Sequence, residues 1–547
     1  MLNQLIKYIK ERAGSISWPL LIFLLLVLNV KLLLKVAAIL IICVVNRSSI
    51  SVKNFFRQRH LFFYFGVICI GLINLLLQYK SISKAYIGTT AIGLAFWIMS
   101  AVIAYQLYVI IQKEDTAKIH NTICVFFILH ITVVFFKFLQ IVFETGAINP
   151  YTYKGFNQKY YMSTGDFITG ITFDAPVTTA FICAFGLLYF LYRKQFLLSL
   201  ASMAALLVMA SNFANLVLVT VFVFAFIFWS SRIQKSFILI CSIMLIVFMA
   251  RVSQKNNEHV GRIFYQVIDK PYDLPPVKVL TIEEIKKTPD SLLTNEEQRK
   301  KFAQHFIDSM NAIRLGADYK EPENVLTKRA LTGQADINND TLFYVFHETE
   351  AVKKKINRFE GFLNQMYPIS LQDSLNKLYN WKRPGKFIAF NQLFDFYKKK
   401  PSKILLGNGI ANFSSRLAFK ATMLNIAGQY PGSFKYINYD FFINHLYLYL
   451  YFHSKEQSNH EASNTPDTVY YQLAGEYGMV GLAILVFLFF GFYLRRVKKN
   501  SMGLPILLLL AGSFFAEYWF EQFSIVILFE LLFLLDIKNR LEEEHTT

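Results

Sequence analysis

The hydrophobic positions of this chain gather into long runs, without the alternation or single-faced spacing of a soluble fold. Apolar runs lie near 18–30, 32–46, 60–78, 88–112, 120–143, 175–193, 196–210, 212–230, 235–250, 468–494, 503–518 and 520–536. A helix crosses ~30 Å of hydrocarbon with about 20 apolar residues, or fewer where it is short or re-entrant. The runs therefore predict twelve spans, of which the first pair and the 196–250 group are the shortest and most closely spaced. Between 251 and 467 the pattern changes. There, 281–316 and 383–399 place apolar residues at i, i+3 and i+4, the period of helices with one buried face. Pro384 marks a helix start, and Gly407 and Gly409 mark a boundary after it. The expected fold is an all-α polytopic membrane protein. It has an N-terminal membrane region (1–250, about nine helices), a large, mainly helical domain (251–467), and a C-terminal membrane region with its tail (468–547, about three helices). No internal repeat is visible, which argues against an inverted-repeat transporter.

Charge orients these spans. A net charge of +19 would suit nucleic acid, but no basic-aromatic groove pattern accompanies it. Lys and Arg beside apolar spans more often set membrane orientation. With Lys7, Lys10 and Arg12 inside, alternate loops carry Arg47, Lys53, Arg57 and Arg59, then Lys113 and Lys118, then Arg193 and Lys194, then Arg232 and Lys235. Arg495, Arg496, Lys498 and Lys499 follow, with Lys538 and Arg540 in the tail. The opposite loops are poorer, with Lys80, Lys84, Lys154, Lys159 and the uncharged Ser211-Asn212 turn. Both termini are thus expected in the cytoplasm, and segments 144–174 and 251–467 outside. Cys43, Cys69, Cys124, Cys183 and Cys241 all lie in apolar runs and read as small core hydrophobes, so the external block carries no disulfide. The first run continues into the second without a small-residue cleavage site, so no cleavable signal peptide is expected.

The mouth of the 468–494 span is unusually polar. Asp467, Gln472 and Glu476 precede a Gly478-x-x-Gly481 step that would let the helix pack closely on a neighbour. Upstream stand the Arg383-led helix start RPGKFIAF (383–390), the turn ILLGNGIANF (404–413) and the stretch GITFDAPVTTA (170–180). Together these motifs resemble the O-antigen ligase and O-antigen polymerase family of bacterial polytopic membrane glycosyltransferases. The likeness is close over 383–495 and 170–180, and elsewhere it is one of layout only. It implies a GT-C-like arrangement in the bacterial inner membrane and transfer of a glycan from undecaprenyl diphosphate without a metal or other cofactor. The implied partners are that lipid-linked glycan, an acceptor glycan or lipid A-core, the lipid bilayer and a chain-length regulator. Asp467-Thr468 stands where ligases of this kind carry His-Asn, which favours a polymerase. Ser211-Asn212-Phe213 stands where they often carry Ser-Arg, which leaves a second diphosphate-binding arginine unassigned.

Such chemistry needs a cationic cradle and a base. Arg is the best cradle without a metal, because its fork of donors matches phosphate oxygens. Arg383 is the first candidate by family position, followed by Arg416 after the Gly-x-Gly turn and Lys386 one turn along the same helix; each also reads as a solvated surface charge. Asp467 reads two ways, as the base that takes the acceptor proton and as the N-cap of the helix it precedes. Glu476, about 13 Å further along that helix, reads as a partner for an arginine. Tyr470, Tyr471 and Gln472 could contact sugar, although tyrosines are also ordinary at membrane mouths. His445, His453 and His460 are reserve bases. The nearest metal motif, DINND (336–340), lacks the glycine and glutamate of a calcium loop. A flippase is the non-enzymatic alternative. It calls for broken helices and charges within spans, where Lys137, His130 and Glu530 stand out.

Overall fold

Each of the twelve apolar runs contains a helix, and no strand occurs among the described residues. A computed structural model describes residues 14–29, 31–47, 52–78, 83–152, 168–173, 176–268, 270, 280–293, 295–314, 350–426, 428, 435–455 and 459–546. The membrane-type helices of the first half are α1 (Trp18–Val27), α2 (Leu32–Val45), α3 (Phe62–Leu77), α4 (Lys84–Lys113), α5 (Thr116–Thr145), α6 (Pro176–Tyr192), α7 (Phe196–Met209), α8 (Asn212–Phe224) and α9 (Arg232–Val247). The polar block adds α10 (Gln254–Val267), α11 (Asn295–Arg314), α12 (Glu350–Met366), α13 (Ile369–Leu378), α14 (Gly385–Lys399), α15 (Arg416–Ala421) and α16 (Tyr447–His453). The last apolar runs form α17 (Val469–Ile484), α18 (Gly503–Ser513) and α19 (Ser524–Thr546). DINND lies outside the described residues.

Among the described residues, six helical stretches are long and apolar enough to cross a membrane: Arg59–Leu77, Lys84–Lys113, Thr116–Thr145, Asn212–Trp229, Arg232–Val252 and Ala462–Leu494. α1, α2, α6, α7 and α18 are apolar but only 10–17 residues long. Backbone breaks bound some of the helices. Ala210 ends α7 at φ 51°, and Phe523, at φ 66°, separates the turn Trp519–Gln522 from α19. α1 and α2 pack on each other as a hairpin, with α1 also against α5.

α19 is the axis of the assembly. It packs on α4, α6 and α18, and every residue from 521 to 536 is buried. Its carboxyl at Glu530 is answered by two tyrosine hydroxyls, Tyr64 donating at 2.7 Å and Tyr493 at 3.3 Å. A buried acid requires such partners.

The polar block does not stay apart from the apolar helices. Ile410 fits against Gly71 of α3 and Gly93 of α4, where a Cβ would come within 2.9 Å and 2.4 Å of it. Asn74 donates to the Leu406 carbonyl at 2.6 Å and Gln78 to that of Asn408 at 3.0 Å. On its other side the same segment crosses α17, which is broken at Gly478 (φ 69°, ψ −168°). The amides of Met479 and Val480 donate to Ile404 and Leu405 at 2.8 and 3.1 Å, and those of Asn408 and Gly409 to Gly475 and Glu476 at 2.9 and 3.0 Å. The break thus exchanges helical hydrogen bonds for bonds to the ILLGNG turn, as an interruption among apolar helices must. A Cβ on Gly478 would stand 2.3 Å from the Leu405 carbonyl oxygen, and one on Gly407 2.4 Å from the Glu476 carbonyl carbon. The partner of Gly478 is therefore the Gly407–Gly409 turn rather than a neighbouring helix.

Candidate functional site

The start of α17 belongs to Thr468. Its hydroxyl accepts from the Tyr471 amide at 2.9 Å and its backbone is extended, so Thr468 rather than Asp467 is the N-cap. The Asp467 carboxyl lies instead among Thr465, Lys386, Glu517 and Arg416. The start of α14 is tied over this mouth. Gly385 N–H donates to the Asn464 side chain at 3.1 Å, and a Cβ on Gly385 would meet the Asn464 backbone within 2.5 Å. Lys386 Nζ donates to the Asp467 carbonyl oxygen at 2.8 Å, and Tyr471 Oη donates to the Lys386 carbonyl at 2.8 Å. Burial pulls the Lys386 ammonium down to about 8, while the Asp467 and Glu517 carboxylates oppose that fall.

A second group of charges lies behind the first. Ser415 caps α15 by accepting from Ala418 N–H at 3.1 Å, which fixes Arg416 as the first helical residue. Arg416 faces Glu517 at 3.9 Å. Glu517 also accepts from Gln522 Nε2 at 2.6 Å, and Glu521 accepts from the Leu417 amide at 2.7 Å and from Gln472. Arg416, Lys420, Glu521 and Gln522 line a small cavity together with Lys35 of α2. Lys35 is buried and donates to the Gln522 carbonyl and, at 2.8 Å, to Ser524 Oγ. Burial and the neighbouring Arg416 lower Lys420 to about 8, against the pull of Glu521. Arg416, Lys420 and the Lys35 amine thus converge beside Glu521 and Glu517, an arrangement suited to an anionic group with several oxygens.

The expected residues fall into place unevenly. Lys386, Arg416 and Asp467 come together. Arg383 stands at the turn before α14, its amide donating to Asn380 at 3.1 Å. Glu476 is buried at the α17 break beside Ser415 and the backbone of Ala411 and Phe413, while the carboxylate that faces Arg416 is Glu517. Tyr470 Oη donates to the Ala511 carbonyl at 2.8 Å and its ring lies 4.5 Å from that of Phe515, so Tyr470 ties α17 to α18. Gln472 is spent on Glu521.

The reserve bases are packed into the block. His445 is fully buried against Phe413 and Tyr471, with Nε2 3.3 Å from the Ala389 carbonyl. Burial first, and Lys386 after it, push its imidazole down to about 3. His453 stacks between Tyr449 and His460 with ring centroids 3.9 and 4.7 Å apart. Among the described residues no three His, Cys, Asp or Glu side chains gather as a metal site would require.

Glu517, Glu521, Lys420 and Lys35 were not singled out from sequence. Three of them fall inside runs read as spans, where their polarity was averaged away. The signal that could have found two of them is EYWFE (517–521), two acids one helical turn apart between apolar runs. Comparison with family models, with curated protein sequences and with solved structures finds no match to this chain.

Proposed function

We propose that the chain is a bacterial membrane glycosyltransferase that moves a glycan from undecaprenyl diphosphate to a hydroxyl of an acceptor glycan, a polysaccharide polymerase. The observation that carries this reading is the meeting of Lys386, Arg416, Lys420 and Lys35 with Asp467, Glu517 and Glu521 at one end of the broken helix α17. As the sugar–phosphate bond breaks, negative charge builds on the leaving diphosphate. Arg416 with Lys420 provides the charge that stabilises it, with the Lys35 amine as a further donor, and one such group is typically worth about 3 kcal/mol of barrier. Asp467 takes the proton of the attacking hydroxyl, and Lys386 holds the Asp467 main chain in place. The resemblance of residues 383–495 to the O-antigen ligase and polymerase family supports the same reading. Aspartate at 467 in place of the ligase-type histidine favours a polymerase over transfer to lipid A-core or to protein.

A second reading, a carrier for lipid-linked glycan, has its own support. The helix break at Gly478 and the charges Lys35, Glu521 and Glu530 within apolar runs are features such carriers use. The two readings differ in whether a bond is broken. Purified protein in nanodiscs, given an undecaprenyl-diphosphate oligosaccharide, should release undecaprenyl diphosphate and lengthen the glycan. Arg416→Ala should abolish both. Wild-type product lengths in Arg416→Ala would remove the cradle, and movement of intact donor without release would favour the carrier.

A further inference from the structure

Beyond the end of α17 far from Asp467, a cavity of about 250 Å³ opens between the start of α3, the end of α4, the middle of α19 and the short helix Gly491–Leu494. Arg57, Arg59 and Arg496 line it, and among the described residues its lining includes no Asp or Glu. Arg496 is held ready, its guanidinium 3.7 Å over the Phe492 ring and donating to the Phe492 carbonyl at 3.0 Å. Burial and the neighbouring Arg59 and Arg495 charges all lower its pKa, as expected where cations meet without a counter-charge. His60, only 3% exposed, also lines the cavity, and its Nε2 has no hydrogen-bond partner among the described residues. The opposite wall is apolar, formed by Ile111, Leu534 and Ile537. Just outside, Phe56 and Phe62 project at 60% and 42% exposure.

We propose that this cavity binds the phosphate of an anionic phospholipid headgroup, with the three arginines on the phosphate oxygens and His60 meeting a headgroup hydroxyl. Guanidinium forks match a phosphate diester. The apolar wall would cover the glycerol and first acyl carbons, which a free phosphate would leave unused. The site lies where apolar helices end, the depth at which headgroups sit and where basic pockets between helices hold anionic lipid. This inference needs the chain to be in a bilayer but does not depend on glycan transfer.

The test is lipid retention by the detergent-purified full chain, read by native mass spectrometry and thermal melting. Dioleoylphosphatidylglycerol should remain as a discrete adduct and raise the melting temperature above that in dioleoylphosphatidylcholine. Arg57→Glu/Arg59→Glu, at two exposed positions, should weaken retention by about tenfold or more, taking ~1 kcal/mol per basic residue near the headgroups. Arg495→Glu, a single charge reversal outside the cavity, should retain the lipid. If the double variant melts early in phosphatidylcholine, Arg57→Gln carries the same comparison. Equal retention of the two lipids, equal loss in Arg495→Glu, or protection by inorganic phosphate at the same headgroup concentration would each overturn the lipid assignment.

Discussion

Asp467 and Thr468 are neighbours that the structure gives different tasks. Because Thr468 supplies the cap, Thr468→Ala should cost about 1 kcal/mol of stability, seen as earlier melting in detergent. Asp467→Asn should leave melting nearly unchanged and, if Asp467 is the base, slow transfer about 10²–10⁴-fold. Full transfer by Asp467→Asn would end its candidacy, and Glu517 would be the next carboxylate to test. Lys386 provides a separate handle through pH. Its pKa of about 8 means that its charge fades as pH rises through that value, so activity should fall on the alkaline side. Lys386→Arg keeps its charge and should carry the alkaline limb to higher pH; an unmoved limb would assign it to another group, such as Lys420.

At the scale of elements, the crossing of the ILLGNG turn and α17 depends on two glycines facing each other. Gly478→Ala would combine a left-handed φ with a contact of 2.3 Å to backbone, which a flexible side chain cannot relieve. It should cost about 3 kcal/mol or more and reduce the yield of folded protein. Gly491→Ala is the control, since its φ is −62° and its nearest contact, the Val486 carbonyl oxygen, is 3.4 Å away, and it should melt like wild type. This crossing also marks where sequence reading stops. Helix existence and approximate bounds were legible for every apolar run, because period and length are local properties. The turn at Gly407 and Gly409 was legible too. That it would insert between α3, α4 and α17 was not, since Asn74, Ile410 and Gly478 are joined only by tertiary contact. For the same reason Asp467 could be named while its meeting with Glu517 could not.

For the whole molecule, the unequal loop charges give the bundle a direction to test. In a variant lacking the five native cysteines, Lys382→Cys should react with a membrane-impermeant maleimide in intact cells. Lys499→Cys should react only after lysis. The reverse pattern would put the Asp467 mouth inside the cell and remove the exported-glycan reading with it.

The position of α19 bears on when the protein can become complete. The helices that enclose residues 521–536 all precede them in the chain, so they enter the membrane around an axis that has yet to be synthesised. Until α19 arrives, Tyr64 and Tyr493 lack the carboxyl that pairs them, and the faces of α4, α6 and α18 stand open to lipid or to one another. Assembly is therefore gated by late synthesis. Pulse-labelled chains should become protease-resistant only once residue 536 has cleared the translocon, and released chains truncated after residue 523 should be degraded even though the spans before it can insert.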